Sequence, residues 1–422
     1  MCQCKYWRIL FFSCSLFPKF VSRNLTCNTL TIMHPFVYDI PVKVYFGENQ
    51  LGHLGEELKK FGTKVLLTYG GGSIKRIGLY DRVMKELAQA GMEVYELSDI
   101  APNPRIDSVR QGAQMCKDHQ IDVLLAVGGG STLDATKFMA AGACVDHDPW
   151  DFFNEKWAPI HKALPIVTIL TLSATGSEMD CGGVISNLET KDKIGRLAPQ
   201  LLPKVSFLDP TLTYSVSRFQ TACGAADMMS HILEVYFNME QDLYMLDCFM
   251  EGLMKTIIKF TPIAMAEPDN YEARANLMWA SSWAINGFVN GGKQQAWSCH
   301  PIEHELSAIY DITHGLGLAI VTPRWMEYCL NETTVSKYVQ FGTNVFGIDA
   351  SLPEMEIAKE SICRLSDFFF NTLGLQRTFP EVGIQAADFP VMARKACRGA
   401  ILPGFQPLNQ QDIEAIFRMC QE

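Results

Sequence analysis

Between residues 42 and 208, short β-rich runs alternate with segments patterned as helices, and two of the runs end in the same four residues, Gly-Gly-Gly-Ser. Val42-Lys43-Val44-Tyr45-Phe46 alternates in character and suits a strand. Lys64-Val65-Leu66-Leu67-Thr68-Tyr69 leads into Gly70-Gly71-Gly72-Ser73, and the apolar run Ile121 to Val127 leads into Gly128-Gly129-Gly130-Ser131. Such runs suit a parallel sheet covered on both faces. Met92 to Leu97, Leu164 to Leu170 and Lys204 to Leu208 supply further strands. Leu79, Val83 and Leu87 form a helical stripe that stops at Gly91, Pro102-Asn103-Pro104 turns into another helix, and a helix begins near Thr132. After Pro210, strand-like runs nearly vanish and Met-, Leu- and Ala-rich segments at helical spacing dominate. The pattern predicts an α/β domain over residues 36–210 and a helical domain over residues 211–422.

Length and composition permit this division. A chain of 422 residues accommodates two cores. A net charge of -10 disfavours nucleic acid as a partner, because phosphate contacts need a basic surface. No run approaches the roughly 18–20 apolar residues that span a bilayer. The 14 cysteines are scattered, with no CxxC pair, which points to reduced thiols in a reducing compartment such as the cytoplasm. Residues 1–35 read differently from the rest: Cys2, Cys4, Cys14 and Cys27 crowd there, Lys5, Arg8, Lys19 and Arg23 make it basic, and no acid precedes Asp39. Such a segment is either an organelle transit peptide or an extension ahead of a true start at Met33, and stands outside the fold in both cases.

The two glycine-rich turns each follow a strand and open a helix. Glycine lets a backbone approach a phosphate closely, and a helix N-terminus offers unpaired N–H groups. A single copy reads more readily as a tight turn, but two copies at the carboxyl ends of parallel strands lie where open α/β sheets bind ligands. Neither is a GxGxxG and no Walker motif occurs, which disfavours a nucleotide triphosphatase. The loop Thr171-Leu172-Ser173-Ala174-Thr175-Gly176-Ser177-Glu178 offers hydroxyls to ribose or phosphate, or forms a plain Ser/Thr turn. Lys193 reads as a phosphate partner or a solvated charge.

Two later stretches gather metal-binding groups. Asp227 and His231 stand four residues apart, as do His300 and His304, and His314-Gly315 follows. An i,i+4 pair points from one face of a helix, so each pair can present two groups in one direction. A lone histidine is more often a hydrogen-bonded core residue, and Asp227 alone could be a helix cap. Together they supply a carboxylate and four imidazoles, enough for a divalent metal with an open position. Spacing does not decide which of His300, His304 and His314 coordinate. The aromatic group Trp150, Phe152, Phe153 and Trp157 reads as core or as an apolar substrate pocket.

With these residues assembled, the chain from about Phe36 onward resembles the iron-containing (group III) alcohol dehydrogenases, in their NADPH-dependent butanol dehydrogenase and aldehyde reductase branch. The resemblance implies a dehydroquinate synthase-like architecture: an N-terminal dinucleotide-binding α/β domain, with helices on both faces of a parallel sheet, and an all-helical C-terminal domain. It implies Asp227, His231, His300 and His314 as metal ligands, with Fe²⁺ expected and Zn²⁺ also acceptable to such a set. It places His304 beside the nicotinamide as a catalytic residue. Cofactor contacts are expected from Gly71, Gly72, Ser73, Asn103, Gly129, Gly130, Ser131, Asp134, Thr171, Ser173, Thr175 and Lys193. The expected chemistry is hydride transfer between NADP(H) and a primary alcohol or short-chain aldehyde such as butyraldehyde. A Lewis-acidic metal polarises the oxygen, and a proton arrives through water or His304. The branch implies a homodimer, with neither membrane nor nucleic acid as partner.

NADP(H) is also argued physically. NAD enzymes often place an acid on the ribose 2′-hydroxyl, which repels a 2′-phosphate. Gly71-Gly72-Ser73 carries no acid and has Lys75 and Arg76 nearby. Rival readings are a glycerol- or 1,2-propanediol-type polyol dehydrogenase of the same superfamily, a non-catalytic metal-binding protein, and a nucleotide-binding regulator without redox chemistry. The last would leave the Asp/His set unexplained.

Overall fold

Eight strands arise from the β-rich runs and one further hairpin. They are β1 (Lys43–Phe46), β2 (Lys64–Tyr69), β3 (Glu93–Leu97), β4 (Val123–Gly128), β5 (Ile166–Leu170), β6 (Gly182–Asn187), β7 (Asp192–Leu197) and β8 (Val205–Leu208). The computed structural model describes residue 34 and residues 36–238, 243–293 and 296–422. Apart from His34, the extension at residues 1–35 lies outside the described residues. Six strands form a parallel sheet in the order β1-β8-β5-β4-β2-β3, while β6 and β7 pair antiparallel as a separate hairpin.

Alternate residues of each strand point to opposite faces, so a strand buried on both sides must be apolar throughout. Val65 and Leu67 of β2 pack with Leu54 and Leu58 of α1 (Leu54–Lys59) and with Val83 and Leu87 of α3 (Leu79–Gln89). The intervening Leu66 joins Leu124 and Ile166 against Val109 of α4 (Ile106–His119) and Phe138 of α5 (Gly130–Gly142). Burying each such valine or leucine contributes about 1.5–3 kcal/mol. The fold class is therefore as expected, with helices on both faces of a parallel sheet. Trp150, Phe152 and Phe153 are buried in the α4/α5 core, Phe153 lying 4.6 Å from the Phe138 ring. They are core and not pocket. Trp157 stands apart, its ring 4.1 Å from the Arg196 guanidinium.

From β2 the chain runs outward to β3 at one edge, then returns to β4 on the other side of β2. Strand order thus reverses between β2 and β4, and open sheets bind ligands at the carboxyl ends flanking such a reversal. Both Gly-Gly-Gly-Ser turns stand there, the first entering the short α2 (Ser73–Arg76) and the second entering α5. The third neighbouring strand end, that of β5, enters the Thr171–Glu178 loop.

After β8 the described chain is helical: α6 (Arg218–Tyr236), α7 (Tyr244–Ala266), α8 (Tyr271–Ile285), α9 (Cys299–Tyr310), α10 (His314–Cys329), α11 (Val335–Phe346), α12 (Glu354–Ser366), α13 (Phe389–Ala396) and α14 (Gln410–Met419). Every residue of α6 from Thr221 to Tyr236 is buried, with α7 and α10 packed against it. A helix buried all round is apolar all round, which explains its Ala/Met-rich sequence. The polar residues it does carry must therefore find partners inside the protein. No helix among the described residues is long and apolar enough to cross a membrane.

Candidate functional site

Among those polar residues are Asp227, His231 and Glu234, spaced i, i+4 and i+7 along one face of α6. Asp227 Oδ1 lies 3.6 Å from His231 Nε2, 3.8 Å from His300 Nε2 and 3.7 Å from His314 Nε2. These gaps are too long for hydrogen bonds. Asp227 Oδ1 and His300 Nε2 are buried without any hydrogen-bond partner. Tetrahedral ligand atoms about 2.1 Å from an ion stand about 3.4 Å from one another, close to the observed spacing. One carboxylate and three imidazoles fit a divalent metal, and the orphaned buried atoms need a cation. The ligand atoms of Asp227, His300 and His314 all lie within 4.8 Å of one another.

Backbone approach makes the convergence possible. A Cβ at Gly315 would sit 2.0 Å from the Cys223 carbonyl oxygen, so only glycine lets α10 press His314 against α6.

Two glutamates complete the centre. His300 Nδ1 donates to Glu234 and His314 Nδ1 donates to Glu303. The same carboxylate of Glu234 accepts the backbone N–H groups of Ser298 and Cys299, capping the first turn of α9. Burial pushes His300 down, but the Glu234 and Asp227 carboxylates overcome this and raise it to about 9. Burial lowers His231 to about 4 against the pull of Asp227. His304 is held well below the usual histidine range by burial and then by the Lys193 ammonium. Its Nε2 has no partner, and its ring centroid lies 5.6 Å from that of His314 and 6.3 Å from that of His300. His304 therefore borders the centre and stands outside the Asp227 cluster. Glu303, His304 and His314 form a second close group, but Lys193 Nζ stands 3.4 Å from Glu303 and already supplies a cation.

The expected cofactor residues divide into two sets. At the crevice, a Cβ on Gly71 or Gly72 would meet nothing within 4 Å, and Gly72 adopts φ 89°. Ser73 follows as an exposed residue opening α2. A Cβ on Gly129 would sit 3.2 Å from Leu172, and one on Gly130 only 2.3 Å from Thr175 Oγ1. The turn carrying Gly129, Gly130 and Ser131 thus lies directly against the loop carrying Thr171, Ser173 and Thr175. This puts N–H groups of a helix N-terminus beside the Thr175 hydroxyl.

Asp134, Asn103 and Lys193 are engaged within the protein. Asp134 accepts from Ser177 Oγ at 2.7 Å and Val184 N at 2.9 Å, and burial pushes its carboxyl up to about 6. Each oxygen of Asp134 accepts one of these bonds and so braces the loop and the hairpin. Lys137, fully buried on the same helix, bonds Asp180 Oδ1 at 2.5 Å and the Gly182 carbonyl at 2.7 Å. Asn103 Nδ2 donates to Asp311 Oδ1 at 2.9 Å, tying its loop to the turn before His314. Lys193 Nζ lies 3.2 Å from His314 Nδ1, on the metal side of the hairpin. Sequence reasoning missed Glu234 and Glu303, although Glu234 lies seven residues after Asp227 and Glu303 three after His300.

Comparison with known proteins agrees with this geometry. The model for iron-containing alcohol dehydrogenases matches residues 41–210, and that for the C-terminal part of the same family matches residues 221–420. The chain belongs to the iron-containing alcohol dehydrogenase family. It is 50% identical over 388 residues to NADH-dependent butanol dehydrogenase A of Clostridium acetobutylicum, covering 92% of this chain and 99% of that one. It is 35% identical to the NADPH-dependent aldehyde reductase YqhD of Escherichia coli, covering 86% of this chain and 93% of that one. Among solved structures, NADH-dependent butanol dehydrogenase A from Thermotoga maritima superimposes with a TM-score of 0.88 at 38% identity, over 92% of this chain and 99% of that one.

Proposed function

We propose that the protein is a metal-dependent alcohol dehydrogenase acting as an aldehyde reductase, exchanging hydride between NADP(H) and a short-chain aldehyde such as butyraldehyde. One observation carries the reading: the Nε2 atoms of His231, His300 and His314 converge on the orphaned Asp227 Oδ1 at 3.6–3.8 Å. Asp227, His231, His300 and His314 would hold the metal, Fe²⁺ in the first instance and Zn²⁺ as an acceptable substitute. When bound, the nicotinamide supplies hydride and the metal a Lewis acid that draws charge from the carbonyl oxygen. The N–H groups at the start of α5 bind pyrophosphate, and Thr171, Ser173 and Thr175 orient the ribose side. His304, half-buried with its Nε2 enclosed and without a partner, holds or moves the proton.

Preference for NADP(H) rests on the open, acid-free turn at Gly71-Gly72-Ser73 and on Lys75, whose ammonium stands 4.7 Å over the Tyr80 ring. A second reading favours NAD(H). β3 brings Glu96 beside this corner, where it accepts from the hydroxyls of Tyr69 and Tyr80 at 2.9 Å each, and relatives at 50% and 47% identity are named NADH-dependent. The cytoplasm is the proposed location, in keeping with the thiols: the ten described cysteines are all free. A homodimer is supported by the edge strand β1, near which Phe36, Val37, Tyr38 and Phe46 are exposed.

The test is oxidation of NADPH and of NADH with butyraldehyde, on metal-loaded protein. A higher kcat/KM for NADPH than for NADH supports the first reading, and the reverse installs the second. No turnover with either, across linear and branched aldehydes, removes the aldehyde reductase reading.

A further inference from the structure

We propose that Glu234 and Glu303 are positioning residues of the metal centre, fixing His300 and His314 with the proton on Nδ1 and the Nε2 lone pair turned toward Asp227. This rests on the reading of Asp227, His231, His300 and His314 as metal ligands. Which imidazole nitrogen is free to bind a metal is set by the hydrogen bond that the other makes. For His300 that bond goes to Glu234, and for His314 to Glu303. Both carboxylates are essentially inaccessible, Glu234 at 4% and Glu303 at 0% exposure. His231 Nδ1, by contrast, has no partner. The two glutamates therefore act on two of the three imidazoles.

Each glutamate is itself held. Glu234 is anchored by the N–H groups at the start of α9, so one carboxylate sets both the helix end and the ring it carries. Glu303 accepts from Ser307 Oγ and stands 3.4 Å from Lys193 Nζ.

The position of Lys193 gives the arrangement a specific consequence. Its Nζ lies 3.2 Å from His314 Nδ1 as well, and an ammonium can only donate. With Glu303 present, Nδ1 donates to the carboxylate and Lys193 donates to the same carboxylate. With Glu303 neutralised, Lys193 donates to Nδ1 instead and the imidazole proton moves to Nε2, the atom facing Asp227. Glu303 thus decides which tautomer His314 adopts in the presence of a neighbouring cation.

The experiment uses the full chain as wild type, E234Q, E303Q and the double variant E303Q/K193M. It measures Zn²⁺ affinity by chelator competition, the visible spectrum of the Co²⁺-substituted protein, and the melting temperature of the metal-free form. The expected result is one ion in wild type, affinity about 10–100-fold weaker in E234Q and E303Q with shifted Co²⁺ bands, and metal-free melting unchanged. The double variant should regain part of the affinity lost in E303Q, which a merely structural role for Glu303 would not produce. Wild-type affinity and an unshifted Co²⁺ spectrum in E303Q would overturn the inference, as would failure of K193M to restore any affinity. E234Q also loses part of a helix cap, so where it melts early the two Glu303 variants decide. A wild type that takes up no ion defeats the metal reading itself, a result separate from equal binding by wild type and variants.

Discussion

His300 Nε2 and Asp227 Oδ1 face each other across 3.8 Å in the protein interior, and neither has a hydrogen-bond partner. Leaving a buried carboxylate oxygen and an imidazole nitrogen unpaired is costly, and side chains this close could have paired directly. Their separation is that of two atoms sharing a third.

Asp227→Asn removes the one anionic group of that set. Aldehyde reduction is expected to fall at least about 10³-fold, the loss of several kcal/mol of charge stabilisation. Added Zn²⁺ should raise the melting temperature of wild type through binding to the native state, and leave that of the variant unmoved. An equal rise in both would remove Asp227 from the ligand set.

Gly130→Ala tests the contact between the second glycine turn and the Thr171–Glu178 loop. The new Cβ falls 2.3 Å from Thr175 Oγ1, so the turn and the loop must part. KM for the nicotinamide cofactor should rise about tenfold or more, equivalent to about 1.4 kcal/mol, while metal content stays at the wild-type level. Steady-state kinetics beside metal analysis checks this, and an unchanged KM contradicts a cofactor role for the turn.

Lys75→Ala should lower kcat/KM for NADPH about fivefold more than for NADH, a difference near 1 kcal/mol. The reasoning is that the exposed ammonium over Tyr69 and Tyr80 meets the 2′-phosphate. Equal losses with both cofactors would show that Lys75 does not read the phosphate.

Glu178 and Glu305 should each lose stabilising effect as pH rises toward neutrality, against the opposite contribution of the depressed His231 and His304. Burial pushes Glu178 up from 4.5 to about 7, against the hydrogen bond from Ser282, and pushes Glu305 up to about 7 as well. A carboxyl with a raised value in the native state binds a proton that the unfolded chain has already released. Its contribution is complete below pH about 4.5 and is lost as pH passes about 7. The melting temperature of metal-free Glu178→Gln should therefore rise relative to that of wild type between pH 5 and about 7.5. The same slope in variant and wild type would mean that Glu178 ionises freely.

Much of this was legible from residues alone. Val65-Leu66-Leu67 and Val123-Leu124-Leu125 read as buried parallel strands because both faces of the sheet are covered, and they are. The hairpin β6–β7 was missed, since Gly182, Gly183, Asn187, Asp192 and Gly195 carry little strand propensity and its pairing depends on Asp134 and Lys137 holding it from α5. That hairpin delivers Lys193 to His314. The helix expected from Thr132 begins at Gly130, because the sheet end and the loop against it fix its first turn where intrinsic propensity would not. Asp227, His231, His300 and His314 were visible as spaced ligand types, but Glu234 and Glu303 looked like ordinary helix acids. Only tertiary contact distinguishes a buried carboxylate on an imidazole from a solvated one.

The most direct test of the account is butyraldehyde reduction with NADPH and NADH before chelation, after chelation, and after restoring Fe²⁺ or Zn²⁺, with bound metal counted at each stage. The account predicts one ion per chain, loss of turnover on its removal, and recovery on its return. Full turnover by protein shown to be free of metal would contradict it.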